Sequence, residues 1–126
     1  MGVQERKERE KAQRRTSILD AARQIIKEKP YDSIIMEDIA NRLELSRATL
    51  YLYFKNKEEI YATLLTLGMR ELQAGYDKAL KNPSQDPMEN LVKCAFEFFT
   101  FYMSNHHYFD LLVTNRDDLL RECRPE

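Results

Sequence analysis

The chain has 126 residues, of which 43% are hydrophobic and 33% charged, with only 3 glycines and 4 prolines. This composition predicts one folded domain, or one small domain with part of a second, and it excludes a disordered chain. No apolar run approaches the ~20 residues of a membrane-spanning helix, and the charged N-terminus lacks the apolar segment of a secretory signal. Cys94 and Cys123 have no paired spacing, so we expect reduced thiols in a cytoplasmic protein without a membrane partner.

Charge is distributed unevenly along the chain, although the net charge is −1. Residues 1–57 carry a net charge of +4, and residues 58–126 carry −5. A basic first half suits contact with a polyanion such as nucleic acid. A split of this size also arises by chance in charge-rich helices, so charge alone leaves nucleic-acid binding open.

The first predicted helix runs from Thr16 to Lys29, and Pro30 ends it because proline lacks the backbone donor and clashes with the preceding turn. Its apolar residues recur with the helical period on one face: Ile18, Leu19, Ala22, Ile25 and Ile26. The preceding segment, Gln4–Arg15, is charged on every side. It is either a solvated extension of this helix or a flexible basic arm, and the sequence does not distinguish the two.

Two short helices are predicted next, from Met36 to Leu43 and from Arg47 to about Phe54, with three residues between them. Ser46 is a natural N-cap for the second, because its hydroxyl can accept from the Thr49 N–H. Two short helices joined by such a turn, with a helix packed ahead of them, are typical of a helix-turn-helix. Where the two short helices cross, we expect a small residue, Ala40, surrounded by apolar neighbours. These neighbours are Ile39, Leu43, Leu45 and Leu50.

The outward residues of the second short helix suit a DNA groove. Small side chains at Ala48 and Thr49 let the backbone lie deep in the major groove, and Arg47 can pair with a guanine edge through two hydrogen bonds. Tyr51 and Tyr53 can donate to phosphates. Two further candidates for DNA contact are Ser46, at the start of this helix, and Lys57, at the start of the next. The unpaired N–H groups at the start of the helix that Lys57 begins favour an anion.

The rest of the chain is also predicted to be helical. A long helix capped by Asn56 and Glu59 runs from Lys57 to about Leu80, and its predicted buried residues are Ile60, Leu64, Leu67, Leu72 and Tyr76. After a loop, Asp86 caps a helix that reaches about Ser104, and a short helix follows from Tyr108. No strand pattern competes, so the fold class is all-α.

Several stretches closely resemble the DNA-binding domain of the tetracycline-repressor (TetR) family. They are ILDAA at 18–22, YD at 31–32, IA at 39–40 and SRATLYLYFKNKEEI at 46–60. The family pattern is roughly I-L-x-A-A, G-Y/F, I-A and S-x-x-T-L-Y-x-Y/H-F-x-x-K-E-x-L. The match covers about 45 residues. The alternative, a core aromatic cluster without function, suits Phe54 but not the whole string.

The resemblance implies a three-helix bundle with a helix-turn-helix, then a long connecting helix and a partial helical effector domain. Residues 1–56, of which 1–15 are a charged arm, would bind DNA. Residues 57–126 would belong to the domain for effector binding and dimerisation. The implied protein is a transcriptional regulator, usually a repressor, that binds a palindromic operator as a homodimer and releases it when an unknown small-molecule effector binds.

By position in the family pattern, Arg47, Ala48 and Thr49 would read bases. Arg14 and Arg15 would add contacts from the arm to the DNA backbone. The residues that would hold phosphates are Ser46, Tyr51, Tyr53 and Lys57.

Three residues depart from the family pattern without touching the recognition helix. Glu44 stands where glycine is usual in the turn, and a non-glycine residue in a left-handed conformation costs ~1–2 kcal/mol. Ile35 replaces the serine or threonine that caps the second helix, so a cap and a phosphate contact are lost. Pro30 replaces a glycine.

The chain is also shorter than family members, which continue through further helices that form the dimer interface. Apolar side chains crowd the segment after Pro83, and almost no face of residues 98–103 is polar. We therefore expect a fragment, or a natural truncation that dimerises through the helix around Phe96–Tyr102.

No catalytic or cofactor site is predicted. The three glycines form no phosphate-binding loop, and the two histidines are adjacent. His106, His107 and Asp110 offer fewer ligands than a metal site needs. We therefore interpret the two histidines as solvated or capping residues and expect no metal. Two alternatives to a regulator stay open: a helical protein-interaction module, and a DNA-organising protein without a transcriptional role.

Overall fold

The computed structural model describes residues 2–114 and 116–122 of the chain. Its helices are α1 (Gly2–Glu28), α2 (Met36–Arg42), α3 (Arg47–Tyr51), α4 (Lys57–Ala79), α5 (Pro87–Thr114) and α6 (Arg116–Glu122), with a 3-10 turn at Tyr31–Ser33. The described residues contain no strand, and the predicted all-α class is confirmed. Cys123 lies outside the described residues.

The charged N-terminal segment is part of helix α1, so of the two alternatives the helical extension is correct. Residues 2–17 are all exposed, and an ion pair between Arg6 and Glu10 at 3.1 Å supports the helix at the favourable i, i+4 spacing. Burial begins directly after this segment, at Ile18. The predicted apolar face is buried, and the structure adds Ala21 to its predicted members, which are Ile18, Leu19, Ala22, Ile25 and Ile26.

The chain divides into two compact units, one ending at Leu64 and the other beginning at Leu65. The division lies within α4, whereas the sequence suggested a boundary at the first residue of that helix. In the first unit, α1, α2, α3 and the start of α4 share a core in which the predicted Ile39 and Leu50 are fully buried. The buried Tyr61 hydroxyl donates to the Ala22 carbonyl at 2.9 Å and its ring meets Tyr31 edge to face.

Helix α4 begins at the predicted cap. The Asn56 Oδ1 accepts from the Glu59 N–H at 2.8 Å, while the Glu59 carboxylate accepts from the Lys55 N–H at 2.9 Å. Ile60, Leu64 and Leu72 are buried as expected, and Tyr76 is half-buried. The prediction that Leu67 is buried is wrong, since it is 39% exposed. The buried stripe is centred on Tyr61, Leu65 and Leu72, which places Leu67 at its edge.

In the second unit, α5 starts at the predicted cap, where the Asp86 carboxylate accepts from the Met88 N–H at 3.0 Å. The predicted end near Ser104 is confirmed, because the backbone of Asn105 is non-helical (φ −135°, ψ 29°) and this kink separates two helical segments within Pro87–Thr114. The second segment follows directly after Asn105, earlier than the predicted start at Tyr108. The Asn105 side-chain amide donates to the Phe101 carbonyl at 3.0 Å, so a side chain competes with the backbone ladder at the kink.

Side chains on both sides of the kink are buried within the second unit. Phe101, Tyr108, Leu111 and Leu119 are buried, and the Gly68 backbone lies close to the Phe101 and Tyr108 rings. One row of α5 side chains is instead at least 60% exposed, namely Met88, Leu91, Val92, Phe96, Phe99 and Met103. Cys94 is half-buried. Among the described residues no helix has an apolar run long enough to cross a membrane.

Candidate nucleic-acid interface

The turn between α2 and α3 is a complete Schellman motif. The Leu45 N–H donates to the Ala40 carbonyl at 2.9 Å, and the Glu44 N–H donates to the Asn41 carbonyl at 3.2 Å. Glu44 has a φ of +56°, the one positive value among non-glycine residues in the described part of the chain. The motif requires this left-handed residue just after the helix, so the strain expected from the missing glycine is present.

Helix α3 is anchored at its start by the predicted cap. The Ser46 hydroxyl accepts from the Thr49 N–H at 3.1 Å and lies 2.8 Å from the Thr49 hydroxyl. Leu50 fixes the inner face of the helix, since it is fully buried. The helix ends at Tyr51 rather than Phe54, because the Leu52 and Tyr53 N–H groups bond three residues back and tighten the last turn.

The outward face of α3 presents predicted site residues to solvent. Arg47, Ala48 and Tyr51 are exposed, while Thr49, held by the cap, is half-buried. Arg47 donates to the Glu37 carboxylate of α2 at 3.0 Å, and both side chains are about half exposed. An ion pair this exposed contributes ~0–1 kcal/mol. The guanidinium can therefore exchange its carboxylate for another acceptor at low cost.

Tyr53 and Lys57 differ in what they face. Tyr53 is half-buried and lines a shallow concavity with the charged half of α1, where the basic residues are Lys7, Lys11 and Arg14. The Lys57 ammonium donates to the Tyr31 carbonyl at 2.9 Å and lies 4.4 Å from the centre of the Tyr31 ring. Lys57 is thus held against its own domain, although an ammonium has three donors and only one is used by this carbonyl.

The N-terminus of α2 has a substitute for the missing side-chain cap. Ile35 has no side-chain cap bond, but the Asp38 carboxylate accepts from the Ile35 N–H at 2.9 Å and from the Lys29 ammonium at 2.8 Å. The Lys29 hydrogen bond, with the Ile35 N–H second, lowers the pKa of Asp38 below its ordinary value. Sequence reasoning missed this role, although an acidic residue at the third helical position was a usable signal.

Helix α2 is also tied to the end of α1 by a two-pronged ion pair between Arg42 and Glu28. The hydrogen bond from Arg42 lowers the pKa of the Glu28 carboxyl. Together with the Lys29–Asp38 pair it joins the first two helices of the bundle, and so it helps fix the platform on which α3 lies.

Two features of the second unit bear on ligands. A cleft of ≈ 280 Å³ lies between α4 and α5, lined by residues that include Leu72, Gly75 and Phe101. At the kink, potential ligand atoms of His106, His107 and Asp110 lie within 4.8 Å of one another, with His106 and Asp110 exposed. Three side chains of this kind are fewer than the four ligands of a closed structural zinc site.

These features define a helix-turn-helix protein: a capped, exposed helix held by a tight turn on a small helical bundle. A family model for "Bacterial regulatory proteins, tetR family" matches residues 18–64, which include α2, the turn and α3. Residues 18–64 therefore belong to a domain of this family. The resemblance found in the sequence is therefore confirmed.

Curated relatives match more of the chain. The "HTH-type transcriptional regulator EthR" of Mycolicibacterium smegmatis is 27% identical over 93 residues, 74% of this chain and 42% of that protein. The "HTH-type transcriptional activator FasR" of the same species is 28% identical over 103 residues, which are 82% of this chain and 47% of that protein. The negative transcriptional regulator IcaR of Staphylococcus epidermidis is 41% identical over 44 residues, which are 35% of this chain and 24% of that protein. The matches thus span less than half of each relative.

Proposed function

We propose that the chain binds double-stranded DNA in a sequence-specific way and regulates transcription, with α3 as the recognition helix. The observation that carries the proposal is the outward face of α3, where Arg47, Ala48 and Tyr51 are exposed while Leu50 anchors the helix from below. A short helix that is anchored on one face and exposed on the other is the element that other helix-turn-helix proteins insert in the major groove. It acts by binding, not by catalysis.

Arg47, Ala48 and Thr49 read bases in this proposal. Arg47 leaves the exposed Glu37 carboxylate and pairs with a guanine edge, a contact that discriminates by ~1–3 kcal/mol. Ser46, Tyr51, Tyr53 and Lys57 hold phosphates, and their hydroxyl and ammonium groups provide the donors. The bond to the Tyr31 carbonyl keeps the Lys57 ammonium in one position, so less side-chain entropy is lost when a phosphate binds.

Two copies of the chain bind a palindromic operator in the cytoplasm, and an unidentified small molecule controls the affinity. The exposed apolar row of α5, around Phe96 and Phe99, supports a contact with a second copy, because aromatic side chains at least 60% exposed lose unfavourable hydration when paired. The cleft beside Phe101 is the candidate effector site. Repression is the usual outcome in the family, but the relatives include an activator and a negative regulator, so reporter transcription must decide the sign.

Two substitutions separate the roles in α3 and α4. Arg47→Ala should reduce the preference for the selected operator over unrelated DNA by roughly ten- to a hundredfold, since it removes a base contact. Lys57→Ala should weaken both DNAs alike and reduce the salt dependence by about one phosphate. Fluorescence anisotropy on an operator selected from a random duplex pool measures both quantities.

The control is Arg23→Ala, an exposed arginine of α1 paired with Asp20 and half a helical turn away from the Arg14 face. It should leave operator binding unchanged. An equal loss of sequence preference from Arg47→Ala and Lys57→Ala would refute the assigned roles.

A second candidate function is a helical protein-interaction module, favoured by the exposed apolar row of α5. Salt distinguishes it from the proposal: DNA affinity falls steeply as salt rises, whereas contacts between apolar faces do not weaken in this way. A DNA-organising role would instead give dispersed occupancy along the chromosome, in contrast to the few sites of a local regulator.

A further inference from the structure

Three potential metal ligands converge on one side of α5, directly after its kink. His106 and Asp110 are four residues apart and His107 and Asp110 are three apart, so both histidines lie one turn before the carboxylate on the same face. Their potential ligand atoms lie within 4.8 Å of one another. Among the residues that the structure describes, this is the one group of three histidine, cysteine or acidic side chains that converges in this way.

The two imidazoles lie closer together than their positions on a helix require. Consecutive residues of a helix project about 100° apart, yet the ring centroids of His106 and His107 are 4.0 Å apart, with 37° between the ring planes. His106 follows directly after Asn105, whose backbone is non-helical. The two rings thus lie side by side, and each offers a nitrogen within 4.8 Å of the Asp110 carboxylate.

The cluster is open to solvent and faces away from the core. His106 and Asp110 are exposed, and His107 is half-buried. Tyr108 is two residues from both His106 and Asp110, which places it on the opposite side of the helix, and there it is buried. An ion can therefore reach the cluster from solvent, and the exposed side chains can move without disturbing the packing of the second unit.

The donor atoms select the class of ion. Two imidazole nitrogens and one carboxylate oxygen suit Zn²⁺ and its transition-metal neighbours, whereas Mg²⁺ and Ca²⁺ prefer oxygen ligands alone. Zinc ligands lie ~2.0–2.2 Å from the ion, so two of them in a tetrahedral site are about 3.4 Å apart. No pair in the cluster therefore has to close by more than about 1.4 Å from the observed limit of 4.8 Å, a shift that rotation of exposed side chains between rotamers supplies.

We propose that His106, His107 and Asp110 bind a divalent transition-metal ion, of which Zn²⁺ is the best match, with water in the remaining coordination position. Three protein ligands with water in the fourth position are the arrangement of an open zinc site. The proposal departs from the expectation of no metal, which rested on the number of ligands in the sequence and did not include the convergence of the two rings. The ion links residues of the first turn after the kink and stabilises the folded chain.

The test uses the whole chain, stripped of metal with a chelator, and two substitutions of equal size and charge change. Asp110→Asn removes the carboxylate ligand, and Asp77→Asn makes the same change in α4; both positions are exposed, so neither variant disturbs the core. Zn²⁺ and Mg²⁺ are titrated into each protein by isothermal titration calorimetry. Nitrogen-15 NMR follows the imidazoles, because His106 and His107 are the two histidines of the chain.

Wild type should bind Zn²⁺ but not Mg²⁺, and Zn²⁺ should shift the signals of both imidazoles and raise Tm. Loss of a partner outside the ligand shell typically weakens metal binding ~10–100-fold, so Asp110→Asn, which removes a ligand itself, should weaken Zn²⁺ binding at least about tenfold. Asp77→Asn should keep the wild-type affinity.

Four results would overturn the inference: no binding of Zn²⁺, a preference for Mg²⁺, binding that leaves the imidazole signals unchanged, or the same Zn²⁺ affinity in Asp110→Asn as in Asp77→Asn. The experiment contains no DNA, so each of these results leaves the proposed DNA-binding function standing.

Discussion

Glu44 offers a direct test of the turn on which the recognition helix depends. It has a φ of +56° at the position that follows α2 in the Schellman motif. A side chain in this conformation costs ~1–2 kcal/mol because Cβ crowds the following carbonyl. Glycine avoids this cost but loses ~0.5–1 kcal/mol more backbone entropy on folding. The net effect of Glu44→Gly is therefore a stabilisation of about 0.5–1 kcal/mol.

The Glu44 carboxylate adds a smaller effect, because a negative charge at the C-terminal end of a helix opposes its dipole. Glu44→Ala removes this charge and keeps Cβ, so it isolates the electrostatic part. We expect Glu44→Ala to stabilise by at most a few tenths of a kcal/mol in this exposed position. Glu44→Gly should exceed it by ~0.5–1 kcal/mol, equivalent to a rise of roughly 2–6 °C in Tm.

Urea unfolding followed by far-UV circular dichroism measures the free energy of unfolding of the three proteins. The turn hydrogen bonds are backbone bonds and both variants retain them, so operator binding should persist. If Glu44→Gly is no more stable than Glu44→Ala, the residue is not strained, and the description of the turn is wrong.

Three further substitutions test the packing and electrostatics of the bundle. The pKa of Asp38 is lowered by folding, so its stabilising contribution is complete above its unfolded pKa of ~3.9 and is lost as pH falls through the lower folded pKa. Asp38→Asn should therefore destabilise the protein at neutral pH, and the gap to wild type should close in urea titrations repeated below about pH 3. Tyr61→Phe removes the buried bond to the Ala22 carbonyl and should lower the free energy of unfolding by ~1–1.5 kcal/mol; an unchanged midpoint in urea would contradict this. Gly75→Ala should raise Tm by improving helix propensity by up to ~1 kcal/mol, since the added methyl meets only the movable Glu97 carboxylate; a lower Tm would mean that this contact is rigid.

Local signals predicted much of the first unit correctly. The Ser46 and Asn56 caps, the buried Leu50 and the left-handed cost at Glu44 each follow from a short stretch of sequence, because caps and turns are set by neighbouring residues. The charged start of α1 could not be assigned this way. Its helix is stabilised by continuity with a buried helix, and charge pattern alone does not encode that.

The errors fall where tertiary packing or a single side chain decides. Leu67 lies at the edge of a buried stripe whose centre depends on neighbouring elements. Helix α3 ends at Tyr51, before the predicted Phe54, because the N–H groups that follow bond three residues back. The site residues could be proposed from sequence, but their partners could not. The contacts of Arg47 with Glu37 and of Lys57 with Tyr31 join residues 10 and 26 positions apart. The DNA-contact roles and the domain boundary at residue 57 stay predictions.

The most direct test of the central claim is the mass of the complex between this chain and a selected palindromic duplex, measured by light scattering at about 100 mM salt. We expect a complex that contains two chains of 15.0 kDa on one duplex, and we expect Arg47→Ala to abolish it by removing the α3 contact with bases. Free protein and free duplex eluting separately, or a wild-type complex no more stable on the selected duplex than on an unrelated one, would contradict it.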